Sequence, residues 1–203
     1  MSGTIALIDY GAGNLQSVKN ALKAAGAANI NVTARPEDML AADRIVLPGV
    51  GAFAHCMGAL SAIDGMVEAL NEATGAGGKP FLGICVGMQL MAEAGEEYGS
   101  HAGLGWAKGR VRLMHPGDAR IKIPHMGWND VVPDGAHPLI EPGEAYFLHS
   151  FAYDGADVLA RTEHGGPVVA AIGRGNRIGV QFHPEKSQQY GLAFLERFLR
   201  WKP

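Results

Sequence analysis

The chain has 203 residues, a net charge of −3 and two cysteines. This length favours one domain whose core needs neither disulfides nor metals. The slight acidic balance excludes a basic surface for nucleic acid or for an anionic membrane. No apolar run is long enough to span a membrane, and the N-terminal residues lack a signal-peptide pattern. Two cysteines exclude a disulfide scaffold and a CxxC site, so we expect a cytoplasmic protein in a reducing compartment.

The first half of the chain alternates strand and helix patterns. Short apolar runs predict buried strands, and amphipathic or small-residue segments predict the helices between them. In chain order, the predicted elements are a strand over 4–9, a helix over 15–25 capped by Asn14, strands over 29–33 and 44–47, helical segments over 52–74, a strand over 80–84 and a helix over 86–94. Such alternation is typical of α/β proteins with a doubly wound, mostly parallel sheet and helices on both faces.

The second half contains short strand patterns separated by turn residues. These predicted strands cover 111–114, 127–132, 145–152, 158–162, 168–174 and 177–182, with a hairpin turn at 173–176. An amphipathic helix over 188–201 closes the chain, with Leu192, Leu195, Phe198 and Leu199 on one face. We therefore predict a single domain over 1–203, in which an antiparallel, strand-rich addition follows the parallel sheet.

Cys85 is the sharpest chemical signal in the sequence. It lies between Gly83 and Gly87, where a predicted strand meets a predicted helix, as in a nucleophile elbow. The thiol would stand at a helix N-terminus, where the amide dipoles favour the thiolate. The alternative is a buried structural cysteine that two glycines happen to flank. Cys56 has no such setting, and we interpret it as a core or helix-surface residue.

A cysteine nucleophile needs a base and a group that orients the base. His183 and Glu185 follow the last predicted strand, at the sheet edge where open α/β sheets place their sites. A rigid proline between them can hold both side chains in one local frame. Taken alone, His-Pro-Glu is more typical of a surface turn. Combined with Cys85, it predicts a Cys-His-Glu triad.

The loop after the third predicted strand is a candidate oxyanion hole. Its glycines, Gly49 and Gly51, allow the backbone amide of Val50 to turn toward a ligand. The amide of Val86, which follows the nucleophile, would be the second donor. An ordinary turn at the end of a strand is the alternative.

Two further patterns carry little functional information. The remaining histidines form neither His-x-His nor His-Glu-x-x-His, so we expect no metal or other cofactor and interpret them as surface or satisfied core residues. Gly11 and Gly13 begin a dinucleotide-binding fingerprint, but Gln16 occupies the position of its third glycine. We therefore reject nucleotide binding at this turn.

The combination of motifs resembles a known family. Gly-Ile-Cys-Val-Gly-Met-Gln around Cys85 and His-Pro-Glu at 183–185 are similar to the signatures of class I (triad) glutamine amidotransferases. Segments 8–15, 47–53, 124–129 and 146–150 resemble one family in this class, the glutaminase subunit of imidazole glycerol phosphate synthase. The resemblance covers essentially the whole chain.

The resemblance implies a specific activity. Cys85 would attack the side-chain amide of L-glutamine, His183 would transfer the proton, and Glu185 would orient His183. The products would be glutamate and ammonia. The implied partner is a separate (β/α)8 cyclase, in a heterodimer, which uses the ammonia to make imidazole glycerol phosphate and aminoimidazole carboxamide ribotide in histidine biosynthesis.

The resemblance also implies roles for residues around the triad. The implied substrate-binding residues are Gly49, Val50, Gly51, Gln89, Ser150 and Phe151. The amide of Val50 would rotate to complete the oxyanion hole when the partner is loaded. Phe151 stands where tyrosine is common in the family and offers no phenol there. The implied partner-facing residues are Asn14, Trp128, Tyr146 and Lys186.

Two other function classes remain open from the sequence. One is a stand-alone thiol hydrolase on the same fold, such as a γ-glutamyl hydrolase or a peptidase, which would be active without a partner. The other is a non-catalytic binding module, against which the intact Cys85, His183 and Glu185 argue.

Overall fold

The computed structural model describes residues 3–118 and 120–203. Met1 and Ser2 lie outside the described residues. They are the first residues of the N-terminal segment that is expected to lack a signal peptide. The strands are β1 (Thr4–Ile8), β2 (Asn29–Thr33), β3 (Arg44–Gly49), β4 (Phe81–Cys85), β5 (Ala92–Gly95), β6 (His101–Ala102), β7 (Ala107–Leu113), β8 (His125–Pro133), β9 (Gly143–His149), β10 (Phe151–Gly155), β11 (Val158–Glu163), β12 (Pro167–Arg174) and β13 (Arg177–Val180). The helices are α1 (Leu15–Ala24), α2 (Pro36–Ala41), α3 (Phe53–Ser61), α4 (Met66–Thr74), α5 (Val86–Gln89) and α6 (Gln188–Arg200), with a 3-10 turn over Pro184–Lys186.

Nine strands form a large mixed sheet in the order β2-β1-β3-β4-β13-β12-β11-β8-β9. The strands from β2 to β13 in this order pair in parallel, and the remaining ones pair antiparallel. A second sheet of four strands has the order β10-β7-β5-β6. The α/β class, the parallel sheet and the antiparallel addition predicted from the sequence are confirmed.

The core lies on both faces of the parallel strands. Residues of β4 are buried along its whole length, as are nearly all of β1 and β3. Their uninterrupted apolar sequences arise because helices cover both faces of such a sheet. Right-handed crossovers place α1 on one face and α2, α3 and α4 on the other. In agreement, α1 packs against α6, and α4 packs against α2 and α3.

The predicted helix over 86–94 is wrong beyond its first turn. The helix ends at Gln89, and Ala92–Gly95 is a strand that pairs with β7 in the second sheet. The apolar, alanine-rich sequence is compatible with a helix, but pairing with a distant strand overrides that propensity. Gly95 suits the sheet because the ring of Phe53 occupies the place of its missing Cβ.

The predicted strand over 145–152 is two strands that separate at Ser150. The first pairs with β8 in the large sheet, and the second pairs with β7 in the small sheet. The chain therefore passes between the sheets at Ser150, beside the carboxyl end of β4. Among the described helices, none has the length and apolar character needed to cross a membrane.

Candidate active site

Cys85 lies on a strained turn between β4 and α5. Its φ is 54° and its ψ is −111°, a conformation that residues with a Cβ rarely adopt. A Cβ on Gly87 would collide with the backbone oxygen of Leu47, and one on Gly83 would lie 2.5 Å from the oxygen of Gly87. Both glycines are therefore required for the close approach of backbones that forms the elbow.

The helix after the elbow is shorter than predicted. It spans only four residues, Val86–Gln89, so it lacks the aligned peptide dipoles of a long helix. The dipole contribution expected at the thiol from the longer predicted helix is therefore reduced.

The strands on either side of β4 carry the other candidate groups to the same sheet edge. Gly49 at the end of β3 pairs directly with Cys85, and Val180 at the end of β13 pairs with Ile84. All three strands are parallel, so their carboxyl ends open onto one crevice, where open α/β sheets hold their ligands. His183 follows β13 into this crevice.

His183 and Glu185 form a buried pair. Nδ1 of His183 lies 2.8 Å from Oε1 of Glu185, and both side chains are almost fully excluded from solvent. Nε2 is thus the nitrogen left to face Cys85. Burial lowers the pKa of His183, but hydrogen bonds with Cys85 and Glu185 and attraction to both outweigh it and raise the pKa to about 10. The geometry matches a nucleophile, a base and an orienting acid.

The backbone of His183 is fixed from two sides. Its amide donates to the carbonyl of Tyr146 at 2.9 Å, and its carbonyl accepts from the hydroxyl of Ser187 at 2.6 Å. The Ser187 hydroxyl in turn accepts from the amide of Tyr146 at 2.9 Å. Serine before an amphipathic helix signals a helix cap. Here its side chain makes no cap hydrogen bond and holds the base instead.

Two glutamines connect the thiol to the wall of the crevice. Nε2 of Gln181 lies 3.6 Å from Sγ of Cys85, and Oε1 of Gln181 accepts from Nε2 of Gln89 at 3.0 Å. Nε2 of Gln89 also donates to the carbonyl of Phe151 at 3.0 Å. Gln89 and Phe151 are among the residues predicted from the sequence, whereas Gln181 is not, because it lies in a strand-like run with no motif of its own.

The candidate oxyanion loop packs directly on the elbow. A Cβ on Gly49 would lie 2.7 Å from the amide nitrogen of Gly87 and 2.9 Å from Cβ of Val86. The backbone carrying Val50 therefore approaches the backbone carrying Val86. Gly51 has a φ of +100°, so only glycine adopts that turn without strain.

Two buried side chains hold the carbonyls of this loop. The hydroxyl of Tyr10 donates to the carbonyl of Pro48 at 2.7 Å, and the thiol of Cys56 donates to the carbonyl of Val50 at 3.3 Å. Burial raises the pKa of both Tyr10 and Cys56, so both remain protonated donors. The structure confirms Cys56 as a core residue on α3. Its contact with the loop had no signal in the sequence.

A cavity of about 580 Å³ opens at Cys85. Its size is within the range of small-molecule sites. The candidate residues that line it are Val50, Gly51, Cys85, Val86, Gln89, Ser150, Phe151, His183 and Lys186. Gly49 and Glu185 are not among the lining residues, because the first packs beneath the loop and the second is buried behind His183.

Three of the four candidate partner-facing residues lie together beside the cavity. The rings of Trp128 and Tyr146 are 6.2 Å apart, and Nζ of Lys186 lies 5.6 Å from the centre of the Tyr146 ring. Trp128 is 47% exposed. Asn14 is exposed at the N-terminus of α1, where its side chain caps the helix by accepting from the amide of Ser17. The prediction of Asn14 as a helix cap is confirmed.

Comparison with known proteins agrees with this geometry. A model of the class-I glutamine amidotransferase family matches residues 6–201. The chain is 62% identical to the imidazole glycerol phosphate synthase subunit HisH of Zymomonas mobilis, over 100% of this chain and 98% of the relative. It is 54% identical to the protein of the same name from Rhodospirillum rubrum, over 98% and 99% of the two chains. The chain belongs to the HisH family of class-I glutamine amidotransferases.

Solved structures with low sequence identity to this chain share its fold. A structure described as a glutamine amidotransferase superposes with a TM-score of 0.73 at 18% identity, covering 95% of this chain and 98% of the other. A structure of PurLQS from Thermotoga maritima gives a TM-score of 0.74 at 20% identity, covering 98% and 99%. These likenesses agree with the predicted fold, and the family model and the HisH relatives confirm the family resemblance predicted from the sequence.

Proposed function

We propose that this HisH-family protein hydrolyses L-glutamine to glutamate and ammonia with a triad of Cys85, His183 and Glu185. The observation that carries the proposal is the elbow thiol at the same sheet edge as a buried His-Glu pair with a 2.8 Å hydrogen bond. Cys85 and His183 line one cavity of a size that suits an amino acid. The whole chain acts as one glutaminase domain.

The chemistry follows from the positions of these groups. His183 takes the proton of the Cys85 thiol, Sγ attacks the side-chain carbonyl carbon of glutamine, and the amides of Val50 and Val86 stabilise the resulting oxyanion. His183 donates a proton to the departing nitrogen, so the carbon–nitrogen bond breaks, ammonia leaves, and a thioester remains on Cys85. His183 then takes a proton from water, which attacks the thioester; the carbon–sulfur bond breaks and glutamate is released.

We propose further that the ammonia passes to a separate (β/α)8 cyclase in a cytoplasmic heterodimer. The cyclase would use it to form imidazole glycerol phosphate and aminoimidazole carboxamide ribotide in histidine biosynthesis. The names of the relatives describe a subunit of imidazole glycerol phosphate synthase, which supports a partner. Exposed large apolar side chains around the cavity also support one, because such patches mark protein interfaces: Val50, Tyr98, Leu113 and Leu148.

In this proposal the substrate and the partner use neighbouring sets of residues. Gln89, Ser150, Phe151 and the loop from Gly49 to Gly51 bind glutamine. The partner contacts the face formed by Trp128, Tyr146 and Lys186, with Asn14 at its margin.

The test is glutamate release by the isolated chain and by its complex with a cyclase subunit loaded with ligand. We expect slow release alone and an increase of roughly 10²–10³ in the complex, the effect of completing one oxyanion donor. Equal rates in both states would contradict partner gating and favour a stand-alone thiol hydrolase. A chain inactive in both states would favour a binding module.

Cys85→Ala separates the two half-reactions. The variant complex should make no product from glutamine but should still make it from ammonium salt at high pH, where free ammonia is available. Alanine leaves little cavity at this small site, so the variant should fold. Retained glutamine-dependent synthesis would contradict the assigned nucleophile. Loss of the ammonia-dependent reaction with the complex intact would contradict the division of labour.

A further inference from the structure

A hydrogen-bonded chain of side chains, whose two histidines are buried, runs behind the cavity from Asn129 on β8 to the carbonyl of Phe151. Nδ2 of Asn129 lies 3.0 Å from Nε2 of His125, and Nδ1 of His125 lies 3.1 Å from Nε2 of His149. Nδ1 of His149 lies 2.9 Å from the carbonyl oxygen of Phe151. Both histidines are buried, and His149 lines the cavity. The mechanism above uses none of His125, His149 and Asn129.

Backbone groups fix the proton positions at both ends of this chain. The carbonyl of Phe151 can only accept, so Nδ1 of His149 carries a hydrogen. At the other end, the carbonyl of Glu163 lies 2.8 Å from Nδ2 of Asn129, and the amide of Asp130 donates to Oδ1 of Asn129 at 2.9 Å. These two contacts determine which atom of the Asn129 amide is nitrogen. Asn129 therefore donates to His125.

One arrangement of hydrogens satisfies every contact. Nε2 of His125 accepts from Asn129, so the single hydrogen of its neutral ring is on Nδ1. That hydrogen is donated to Nε2 of His149, which is bare because the hydrogen of this ring is on Nδ1. Reversing any one link would leave two donors or two acceptors facing each other in a buried site, which is costly.

The surroundings keep both rings neutral. Burial is the main cause that lowers the pKa of His125 to about 3 and that of His149 to about 4, and repulsion from His164 contributes to both values. The ring of His164 stacks on His125 with centroids 4.2 Å apart, and its Nε2 faces the carbonyl of Lys122. No carboxylate among the described residues has a contact with either ring that would stabilise a positive charge.

The hydrogen-bonded chain from Asn129 ends on the carbonyl oxygen of Phe151, which also orients Gln89. The Phe151 carbonyl accepts from both His149 and Gln89, so both of its lone pairs are used. The second hydrogen on Nε2 of Gln89 goes to Oε1 of Gln181. Both hydrogens of the Gln89 amide are thus engaged within the protein, and Oε1 is the polar atom left for a ligand in the cavity that Gln89 lines.

We propose that His125 and Asn129 are positioning residues for the glutamine pocket: they fix the tautomer of His149, which holds the Phe151 carbonyl and thereby keeps the oxygen of Gln89 toward the substrate. This role rests on the proposed glutaminase function for its substrate. The hydrogen-bond chain itself does not depend on that function.

The tautomers can be read directly by NMR of the protein with ¹⁵N-labelled histidine. We expect both His125 and His149 as neutral rings protonated at Nδ1, unchanged from pH 8 to pH 6. In Asn129→Asp, the carboxylate cannot donate, so His125 should become protonated at Nε2. Protonation of either ring at Nε2 in the natural protein would overturn the proposal.

Two substitutions of His125 separate positioning from packing. His125→Phe keeps a ring against Phe147 and His164 but removes the donor to His149; His125→Asn keeps a donor near the position of Nδ1 but removes the ring. In the complex with the cyclase, His125→Phe should raise KM for glutamine about two- to tenfold, the value of one hydrogen bond, with little change in kcat. His125→Asn should restore KM toward the natural value.

Controls distinguish this proposal from a general loss of structure. Alkylation of Cys85 by iodoacetamide should proceed at the natural rate in both variants, because this small reagent does not need the Gln89 oxygen. His115→Phe, at an exposed histidine, should leave KM unchanged. An unchanged KM in His125→Phe, or an equal rise in His125→Asn, would overturn the proposal. A natural protein with the expected tautomers but no glutaminase activity would contradict only the proposed function.

Discussion

Oε1 of Glu185 accepts a hydrogen bond from Nδ1 of His183 at 2.8 Å, and only 2% of the Glu185 side chain is exposed. Among the described residues, its second carboxylate oxygen, Oε2, has no hydrogen-bond partner. A buried carboxylate oxygen without a hydrogen bond lowers the stability of the fold. The strongest interaction of Glu185 is therefore with the imidazole that it orients.

Glu185→Gln tests this interaction without removing its geometry. The amide oxygen of glutamine can still accept from Nδ1, but the negative charge is lost. We expect kcat for glutamine hydrolysis to fall by less than the roughly 10²–10⁴ expected when His183→Ala removes the general acid–base. Steady-state kinetics of both variants in the complex would measure the difference. An equal loss in the two variants would show that the charge of Glu185 is indispensable.

The contacts of His183 with Cys85 and Glu185 make stability depend on pH. The pKa of His183 is raised to about 10 in the folded protein, above its ordinary value of 6.5. The contribution of protonated His183 to the free energy of unfolding is therefore fully present below about pH 6.5. It is lost as the pH rises through about 10. Urea unfolding between pH 6 and pH 10.5 should show a decline that is smaller in His183→Gln. An identical decline in both proteins would contradict the raised pKa.

The sequence predicted the parts of the site that are contiguous in the chain. The glycines around Cys85 and the His-Pro-Glu segment have local patterns because an elbow and a turn depend on neighbouring residues. The contacts of Gln181, Tyr10 and Cys56 depend on which strands are neighbours and in what register. No pattern within a short segment carries that information.

The fold shows the same limit. The parallel strands were predicted because both faces are buried and their sequences are apolar throughout. The strand Ala92–Gly95 was mistaken for helix because its pairing with β7 is a tertiary contact. The separation of β9 and β10 at Ser150 was missed because both segments read as strand, and the change of sheet has no signature in residue type.

Lys186→Ala should weaken binding to the proposed partner more than it affects Cys85. Lys186 is exposed, its ammonium lies over the Tyr146 ring at 5.6 Å, and it takes no part in the triad. We expect the dissociation constant of the complex to rise on the order of tenfold. Titration calorimetry would measure it, with Lys108→Ala, at an exposed lysine on β7, as the matched control.

Alkylation of Cys85 by a glutamine-like electrophile, without the partner, checks that Lys186→Ala leaves the site intact. The rate should be close to that of the natural protein. A large decrease in the alkylation rate would show that Lys186 acts on the thiol site itself. An unchanged dissociation constant of the complex would show that Lys186 is only a solvated lysine.

Tyr10→Phe should destabilise the fold through the oxyanion loop. The substitution leaves the Pro48 carbonyl, which accepts from Tyr10 at 2.7 Å, without that donor in a buried position. An unsatisfied buried acceptor costs about 1–3 kcal/mol. Urea unfolding would measure this loss. Tyr98→Phe is the matched control, because Tyr98 is 95% exposed and its change should fall within about 0.5 kcal/mol of zero.

Gly87→Ala should disrupt the elbow, whereas Gly58→Ala should be tolerated. A Cβ on Gly87 would overlap the backbone oxygen of Leu47 in β3. Because this atom belongs to the backbone and not to a flexible side chain, it cannot move aside easily. We expect a loss of about 3 kcal/mol or more in the free energy of unfolding, or an insoluble protein.

Gly58 lies on the exposed surface of α3 with nothing within 4 Å of its Cβ position, so alanine there should stabilise the helix by about 0.5–1 kcal/mol. Urea unfolding of the two variants measures both effects. If Gly87→Ala were as stable as the natural protein, the elbow would not depend on contact between the backbones of β3 and α5, and the argument that this contact sets the position of Cys85 would be wrong.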